Sequence, residues 1–265
     1  MPTDRLTDVP ADVLAAITEA TGPVVKTEPV GAGFNSEIAA HLHTDSGTVF
    51  VKGLRADHPR VWTQQREAEI NPYLQGIAPR LLWRLQPAGW DLLGFEAVDG
   101  HHADYAPGSP DVPVVATVLH RLGQVPCPDL PLKSMPDRMA AYSDTPELFA
   151  GERLLHTDWH DTNVLVTGGQ ALLVDWAWAS RGAGWIDPAL WVIWLISAGH
   201  TAPQAEACAA ALPAWTEAPA TAVDAFAVAS ARLWHEIADA DPDPWTQRMQ
   251  TAAQTWAAHR GDSGR

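Results

Sequence analysis

The hydrophobic pattern of the chain changes near residue 99. Before that point, short alternating runs of apolar and polar residues are separated by turn residues, which is typical of antiparallel strands. After it, apolar residues mostly recur at helical spacing. The pattern predicts strands over 24–30, 37–44, 48–54, 81–85 and 90–97, and helices over 12–20, 59–74, 111–122, 203–212, 221–238 and 244–259.

Length and apolar content indicate a folded globular protein. A chain of 265 residues with 46% hydrophobic residues can bury a sizeable core, either in one large domain or in two lobes with a shared cleft. The longest apolar run, residues 188–199, is too short to span a bilayer and reads as a buried helix. Residues 1–20 are polar and acidic, unlike a signal peptide.

The net charge and the cysteine content indicate which binding partners and which cellular compartment to expect. The formal net charge is −15, which argues against a nucleic-acid partner because phosphate backbones are bound by clustered Lys and Arg. This acidity mildly favours a cationic ligand, although solubility alone also accounts for it. Cys127 and Cys208 are isolated, so a reducing compartment fits better than a disulfide framework. We therefore expect a cytoplasmic protein with no membrane or nucleic-acid partner. The sequence does not indicate an oligomeric state.

The residues with the clearest chemistry lie between 154 and 187. His156, Asp158 and Asn163 occupy a polar loop that leads into an apolar strand. After the turn at 167–170, a second strand ends at Asp175. Two carboxylates and a carboxamide beside one hairpin can accept a hydroxyl proton and hold a hard divalent cation. A zinc site made by His156, Asp158 and His160 is an alternative, but it leaves the Asn-strand-Asp continuation unexplained.

This His-x-Asp-x4-Asn loop, followed by a strand and Val-Asp-Trp, resembles the aminoglycoside phosphotransferase and choline kinase-like family. The family consists of small-molecule kinases with a protein-kinase-like fold. The resemblance implies an α+β bilobal fold, with a small antiparallel-sheet lobe over 1–98 and a larger, mostly helical lobe over 99–265. The chain departs from the family pattern at Thr157, at Asp161-Thr162 and at Trp176-Ala177. None of these departures removes a group that phosphoryl transfer requires.

The resemblance also implies roles for residues of the catalytic stretch. Asp158 would be the catalytic base, and Asn163 and Asp175 would bind Mg²⁺. His156 and His160 would hold the loop, and Asp187 would tie it to the following helix. Residues 176–186 are too few for a protein-kinase activation segment, which implies a small-molecule acceptor.

Further candidate residues lie in the strand-rich part and would bind ATP or GTP. Gly31, Gly33 and Ser36 lie in a glycine-rich turn between strands, where backbone can approach phosphate oxygens. Lys52 lies among apolar strand residues and matches the family's phosphate-binding lysine. By the same resemblance, Glu67 would pair with it, with Glu69 as the fallback. Backbone groups near Glu96 and Val98 would contact adenine.

The sequence identifies the acceptor of the phosphoryl group less specifically than it identifies the catalytic residues. We favour a cationic hydroxylated antibiotic, such as an aminoglycoside or a peptidyl or nucleoside antibiotic. A metabolic kinase for an amino alcohol, homoserine-like compound or sugar is the alternative, and a catalytically silent nucleotide-binding module is an alternative of another class. The C-terminal helices supply four acidic candidates for the acceptor site, which suit solvated helix ends at least as well: Glu236, Asp239, Asp241 and Asp243. Five tryptophans could line a pocket, although tryptophan at helical spacing more often belongs to the core: Trp185, Trp191, Trp194, Trp234 and Trp245.

Overall fold

The computed structural model describes residues 9–31 and 36–263. These residues form two compact units. The first comprises the described residues up to Asp99 together with Leu173–Ala177, and the second comprises Gly100–Leu172 and the residues from Trp178 onward. Within the described residues, no helix is long and apolar enough to cross a membrane.

The first unit contains a five-stranded antiparallel sheet in the order β1-β2-β3-β5-β4. Side chains of β2 alternate between buried and partly buried, as expected for a strand with one face on a core. Val13 and Ile17 of the first helix pack into that core beside Leu42 and Val51. The elements are α1 (Ala11–Thr21), β1 (Val24–Pro29), β2 (Ile38–Thr44), β3 (Gly47–Arg55), α2 (Trp62–Ile70), β4 (Leu81–Leu85) and β5 (Trp90–Glu96).

The helix predicted over 59–74 is wrong at both ends, since α2 covers only Trp62–Ile70. A 3₁₀ turn, Asn71–Tyr73, follows because Pro72 lacks the N–H that would continue the α-helix. The Asn71 side chain accepts a hydrogen bond from the N–H of Leu81 and donates one to the carbonyl of Pro79. These bonds turn the chain directly into β4.

The second unit is mostly helical and has two small sheets, with strand orders β10-β9-β6 and β7-β11-β8. The predicted helices at 111–122, 203–212, 221–238 and 244–259 are present with small shifts at their ends. The elements are β6 (His101–His102), α3 (Asp111–Leu122), β7 (Lys133–Ser134), α4 (Met135–Met139), β8 (Arg153–Leu155), β9 (Val164–Thr167), β10 (Gln170–Leu173), β11 (Ser180–Gly182), α5 (Ile186–Ser197), α6 (Ala202–Ala209), α7 (Pro213–Thr216), α8 (Ala220–Ala240) and α9 (Pro244–Ser263).

Helix α5 forms much of the core of this unit. Eight of its residues are buried, in keeping with the apolar run in the sequence. Asp187 is the polar exception among them, being 2% exposed in the first turn of the helix. A carboxylate at this depth requires hydrogen-bond donors from another segment.

Candidate active site

The β9–β10 hairpin carries the chain from the polar loop to Asp175. Gly168 and Gly169 form its turn with φ of 54° and 74°, values that glycine adopts without steric cost. Asp175 follows the second strand and itself has a φ of 61°. Such left-handed backbone is uncommon for a residue with a side chain and often marks a functional position.

Lys52, Glu67 and Asp175 lie together in the first unit. The Lys52 Nζ is 2.5 Å from a carboxylate oxygen of Glu67 and 3.7 Å from one of Asp175. Lys52 and Glu67 are buried, with 8% and 5% exposure. Glu69 instead accepts a hydrogen bond from Gln65 at 2.6 Å. The structure therefore selects Glu67 as the partner of Lys52, while the nucleotide-binding role of both stays a prediction.

The charges of this group do not balance, because one ammonium faces two carboxylates. Burial raises the pKa of Glu67 to about 7; Lys52 opposes this shift and Asp175 adds to it. Burial alone would lower the pKa of Lys52, but the two carboxylates outweigh burial and raise it. Among these three side chains the carboxylates outnumber the ammonium, and a bound cation would offset that difference.

Other predicted nucleotide-binding positions lie at or just beyond the ends of strands. Gly33 lies outside the described residues, and Gly31 and Ser36 border that gap. The Glu96 N–H donates to the Arg80 carbonyl, and the Glu96 carboxylate accepts hydrogen bonds from the Arg80 guanidinium. Val98 is partly buried in the connector that follows β5. An adenine contact by the backbone near Glu96 and Val98 therefore stays a prediction.

In the second unit, Asp187 fastens the polar loop through three hydrogen bonds. Its carboxylate accepts the backbone N–H groups of His156 at 2.8 Å and Thr157 at 2.9 Å, and the indole N–H of Trp159 at 2.9 Å. Burial raises the pKa of Asp187, and these bonds oppose that shift. The carboxylate thus connects the loop to α5, in the structural position that the resemblance implied.

Asp158 and Asn163 lie close together on this loop. The Asn163 side-chain amide donates to the Asp158 carbonyl at 3.4 Å, and the Asp158 N–H donates to the imidazole of His156 at 3.2 Å. The His160 N–H donates to the Asp158 carboxylate at 3.4 Å. Both Asp158 and Asn163 are partly exposed, so they remain accessible. The loop can present a carboxylate base, and catalysis by Asp158 stays a prediction.

The donor chemistry suits a hard divalent cation. Asn163 in the second unit offers an amide oxygen and Asp175 in the first unit offers a carboxylate, which are ligand types that Mg²⁺ prefers; Mg²⁺ binding by these two residues stays a prediction. Across the described ranges, no cluster of three or more His, Cys, Asp and Glu side chains is arranged to hold a metal. The zinc alternative gains no support, since His156 instead accepts a hydrogen bond from the backbone of Asp158.

Aromatic side chains form a partly exposed surface beside the loop. The His160 ring centroid lies 4.9 Å from that of Trp194 and 5.9 Å from that of Trp245. Trp234 meets Trp245 edge-on at 5.6 Å. We call these four residues the aromatic surface. The other two tryptophans considered from the sequence belong to the core: Trp185 and Trp191.

The acidic candidates for the acceptor site also differ from one another in their surroundings. Asp243 caps α9, since its carboxylate accepts the N–H groups of Trp245 and Thr246. Glu236 accepts a hydrogen bond from the hydroxyl of Tyr142 at 3.0 Å. Asp239 and Asp241 are exposed. The capping bonds favour a structural role for Asp243.

One residue beside the loop, Arg138 of α4, was not predicted from the sequence. Its guanidinium bonds the Thr157 hydroxyl at 2.6 Å. Arg138 precedes Thr157 by nineteen residues, and only the fold brings the two together. No local sequence pattern marks an arginine for this position.

Solved structures of phosphotransferases share this fold. Choline kinase LicA from Streptococcus pneumoniae matches with a TM-score of 0.68 and 13% identity, over 93% of this chain and 98% of that one. An aminoglycoside phosphotransferase from Alicyclobacillus acidocaldarius subsp. acidocaldarius DSM 446 matches with a TM-score of 0.63 and 14% identity, over 96% and 97%. A thermostable mutant of aminoglycoside phosphotransferase APH(4)-Ia, in a ternary complex with AMP-PNP and hygromycin B, matches with a TM-score of 0.59 and 14% identity, over 93% and 99%.

At these identities the likeness establishes the fold. The chain has the α+β protein-kinase-like fold of the aminoglycoside phosphotransferase and choline kinase-like proteins, which confirms the fold expected from the sequence. No family model matches the sequence, and no curated protein matches it at a significant level.

Proposed function

We propose that this chain is a small-molecule kinase that transfers the γ-phosphoryl group of ATP or GTP to an acceptor hydroxyl. The observation that carries the proposal is the buried Lys52–Glu67 ion pair, with Asp175 at 3.7 Å from the same ammonium. In protein kinases a strand lysine must be paired with a helix glutamate for activity. Nucleotide complexes of the solved neighbours, with AMP-PNP, ADP and AMP, support the co-substrate.

In the proposed reaction, residues of the chain mainly position and stabilise charge. Lys52 would bind phosphate oxygens, while Glu67 holds its ammonium in place. Asp158 would accept the proton of the attacking hydroxyl and orient its oxygen towards the phosphorus. Asn163 and Asp175 would hold Mg²⁺, which when bound neutralises charge on the phosphates. Little covalent chemistry is asked of the protein, because orientation and electrostatics supply most of the acceleration.

For the acceptor we propose a cationic hydroxylated antibiotic, such as an aminoglycoside or a peptidyl or nucleoside antibiotic, with resistance or self-protection as the biological role. The net charge of −15 supports a cation, and two of the compared structures are aminoglycoside phosphotransferases. Free Cys127 and Cys208 are consistent with a reducing compartment, so we place the enzyme in the cytoplasm.

The aromatic surface favours a second candidate, a metabolic kinase for an amino alcohol. Indole faces attract alkylammonium groups, and this surface adjoins the loop that carries Asp158. One of the compared structures is a choline kinase. Acceptors of this kind need a single cationic centre beside a hydroxyl, whereas aminoglycosides carry several.

The test is ADP or GDP release by the purified protein with Mg²⁺, against aminoglycosides, peptidyl and nucleoside antibiotics, choline, homoserine and simple sugars. Stimulation by a cationic antibiotic supports the first candidate, and stimulation only by choline or another metabolite supports the second. Asp158→Asn is the matched control, since it keeps the shape of the loop and removes the base. Nucleotide binding without turnover against any acceptor would instead indicate the catalytically silent module.

A further inference from the structure

Arg138 joins three segments of the second unit through one guanidinium nitrogen. Its Nη1 lies 2.6 Å from the Thr157 hydroxyl oxygen, 2.8 Å from the Ser180 hydroxyl oxygen and 2.9 Å from the Trp178 carbonyl oxygen, so its two N–H groups are shared among three acceptors. The guanidinium carbon also lies 6.0 Å from the centre of the Trp178 ring. Arg138 thereby connects α4 to the polar loop and to the turn before β11.

The contact with Thr157 matters because of the backbone of that residue. Thr157 has a φ of 66°, which is sterically unfavourable for a β-branched side chain, whereas glycine adopts it freely. Its N–H is held by Asp187 at 2.9 Å, and its hydroxyl donates to the Trp178 carbonyl at 2.7 Å while accepting from Arg138. The next residue is Asp158, so the conformation of Thr157 determines the direction in which that carboxylate leaves the chain.

The charge of Arg138 has carboxylate neighbours as well as neutral ones. Its three hydrogen bonds go to neutral oxygens, which a neutral donor would also satisfy. Burial lowers the pKa of Arg138, and the nearby carboxylates of Asp158 and Asp187 oppose that shift. The positive charge of Arg138 is thus favoured both by Asp158, the candidate base, and by Asp187, which anchors the loop.

We propose that Arg138 is a positioning residue, which holds Thr157 in its left-handed conformation and so fixes Asp158 for proton acceptance. The inference rests on the proposed kinase function for its catalytic consequence. Together with Arg138, Trp178 and Asp187 supply the bonds that hold a threonine in this conformation.

The variants that test the proposal are Arg138→Met, Arg138→Lys, Thr157→Gly and the double variant Arg138→Met with Thr157→Gly. Arg138→Met should lower kcat by about 10²-fold, the usual consequence of misplacing a catalytic group by about 1 Å. Affinity for Mg-nucleotide should stay within about twofold, because the variant leaves Lys52 and Glu67 unchanged. Arg138→Lys should recover most of kcat, since an ammonium offers three donors.

The double variant tests the route through Thr157. Glycine adopts a positive φ without help, so Arg138→Met should lower kcat by less than about tenfold in the Thr157→Gly background. Equal losses in both backgrounds would overturn the proposal. Arg84→Gln is the matched control, because Arg84 is also partly buried but bonds Asp91 in the first unit. We expect it to lower the melting temperature and leave kcat unchanged.

Amide hydrogen exchange gives a readout that does not depend on turnover. In Arg138→Met, exchange over residues 156–163 should accelerate by about tenfold or more, while α8 and α9 exchange as in the wild type. Unchanged exchange in this loop would overturn the proposal, whatever the kinetics. If the wild type turns over no acceptor, the proposed function fails, and loop exchange alone then decides whether Arg138 positions the loop.

Discussion

Replacing Glu67 with Gln should make the metal-free protein more stable at neutral and alkaline pH. The buried group in the first unit contains one ammonium, Lys52, and two carboxylates, Glu67 and Asp175. Glutamine has the shape of a protonated glutamate and keeps an oxygen that accepts a hydrogen bond from Lys52. The substitution therefore removes the excess charge and leaves the packing of α2 intact.

The magnitude follows from the pKa of Glu67, which is raised from its ordinary value of 4.5 to about 7. Each pKa unit corresponds to about 1.4 kcal/mol, so the whole difference amounts to about 3 kcal/mol. The raised pKa means that the folded state keeps a proton that the unfolded state releases. The stability contributed by this proton is fully present below pH 4.5 and is lost as the pH rises to about 7.

The assay is urea unfolding of the wild type and Glu67→Gln in EDTA, at intervals from about pH 5 to about pH 8. Over that range, the free energy of unfolding of the wild type should fall by about 2–3 kcal/mol relative to the variant. Glu69→Gln is the control and should show no such trend, since Glu69 is partly exposed and accepts its hydrogen bond from the exposed side chain of Gln65. A pH-independent difference, or a Glu67→Gln protein less stable than wild type at about pH 8, would refute the reasoning.

Three further substitutions test the candidate site. Asp158→Asn should lower turnover by at least about 10²-fold with nucleotide affinity nearly unchanged, measured by steady-state kinetics and calorimetry; near-wild-type turnover would remove its assignment as the base. Asp175→Ala should abolish Mg²⁺-dependent nucleotide binding in a titration of Mg-ATP, and binding that persists would contradict the metal assignment. Asp187→Asn should destabilise the protein by about 1–3 kcal/mol in urea unfolding, because its amide N–H₂ group would face the backbone N–H donors of His156 and Thr157. Replacement of the exposed Asp239 by Asn is the control, and equal stability of the two variants would contradict the anchoring role of Asp187.

Elements with a strong local pattern could be predicted from the sequence. The alternation in β2 and β3 and the helical spacing of α8 and α9 gave these elements nearly their observed bounds. The error at the C-terminal end of the helix predicted over 59–74 arose because the side-chain bonds of Asn71 and the missing N–H of Pro72 end α2 early. Such side-chain-to-backbone bonds compete with the helix and leave no periodic signal.

Pairings between distant residues required the fold. Glu67 and Glu69 are both chemically suitable partners for Lys52, and the two-residue offset rotates the side chain by about 200° on the helix. Only the direction of α2 relative to β3 decides between them, and the structure pairs Glu67. Likewise, tryptophans at helical spacing look alike in sequence, although Trp191 is fully buried and Trp245 contributes to the aromatic surface.

Two residues with left-handed backbone show why the site was harder to derive than the fold. Thr157 and Asp175 have φ values of 66° and 61°, and the first precedes the candidate base while the second is one of the two candidate metal ligands. Neither residue type favours that conformation as glycine does, so local preference disagrees with the structure at both positions. At Thr157 the disagreement is resolved by bonds from Asp187 and Arg138, which lie 30 and 19 residues away in the chain. Strain held by distant contacts is typical of functional sites, and it is the kind of information that a local pattern does not contain.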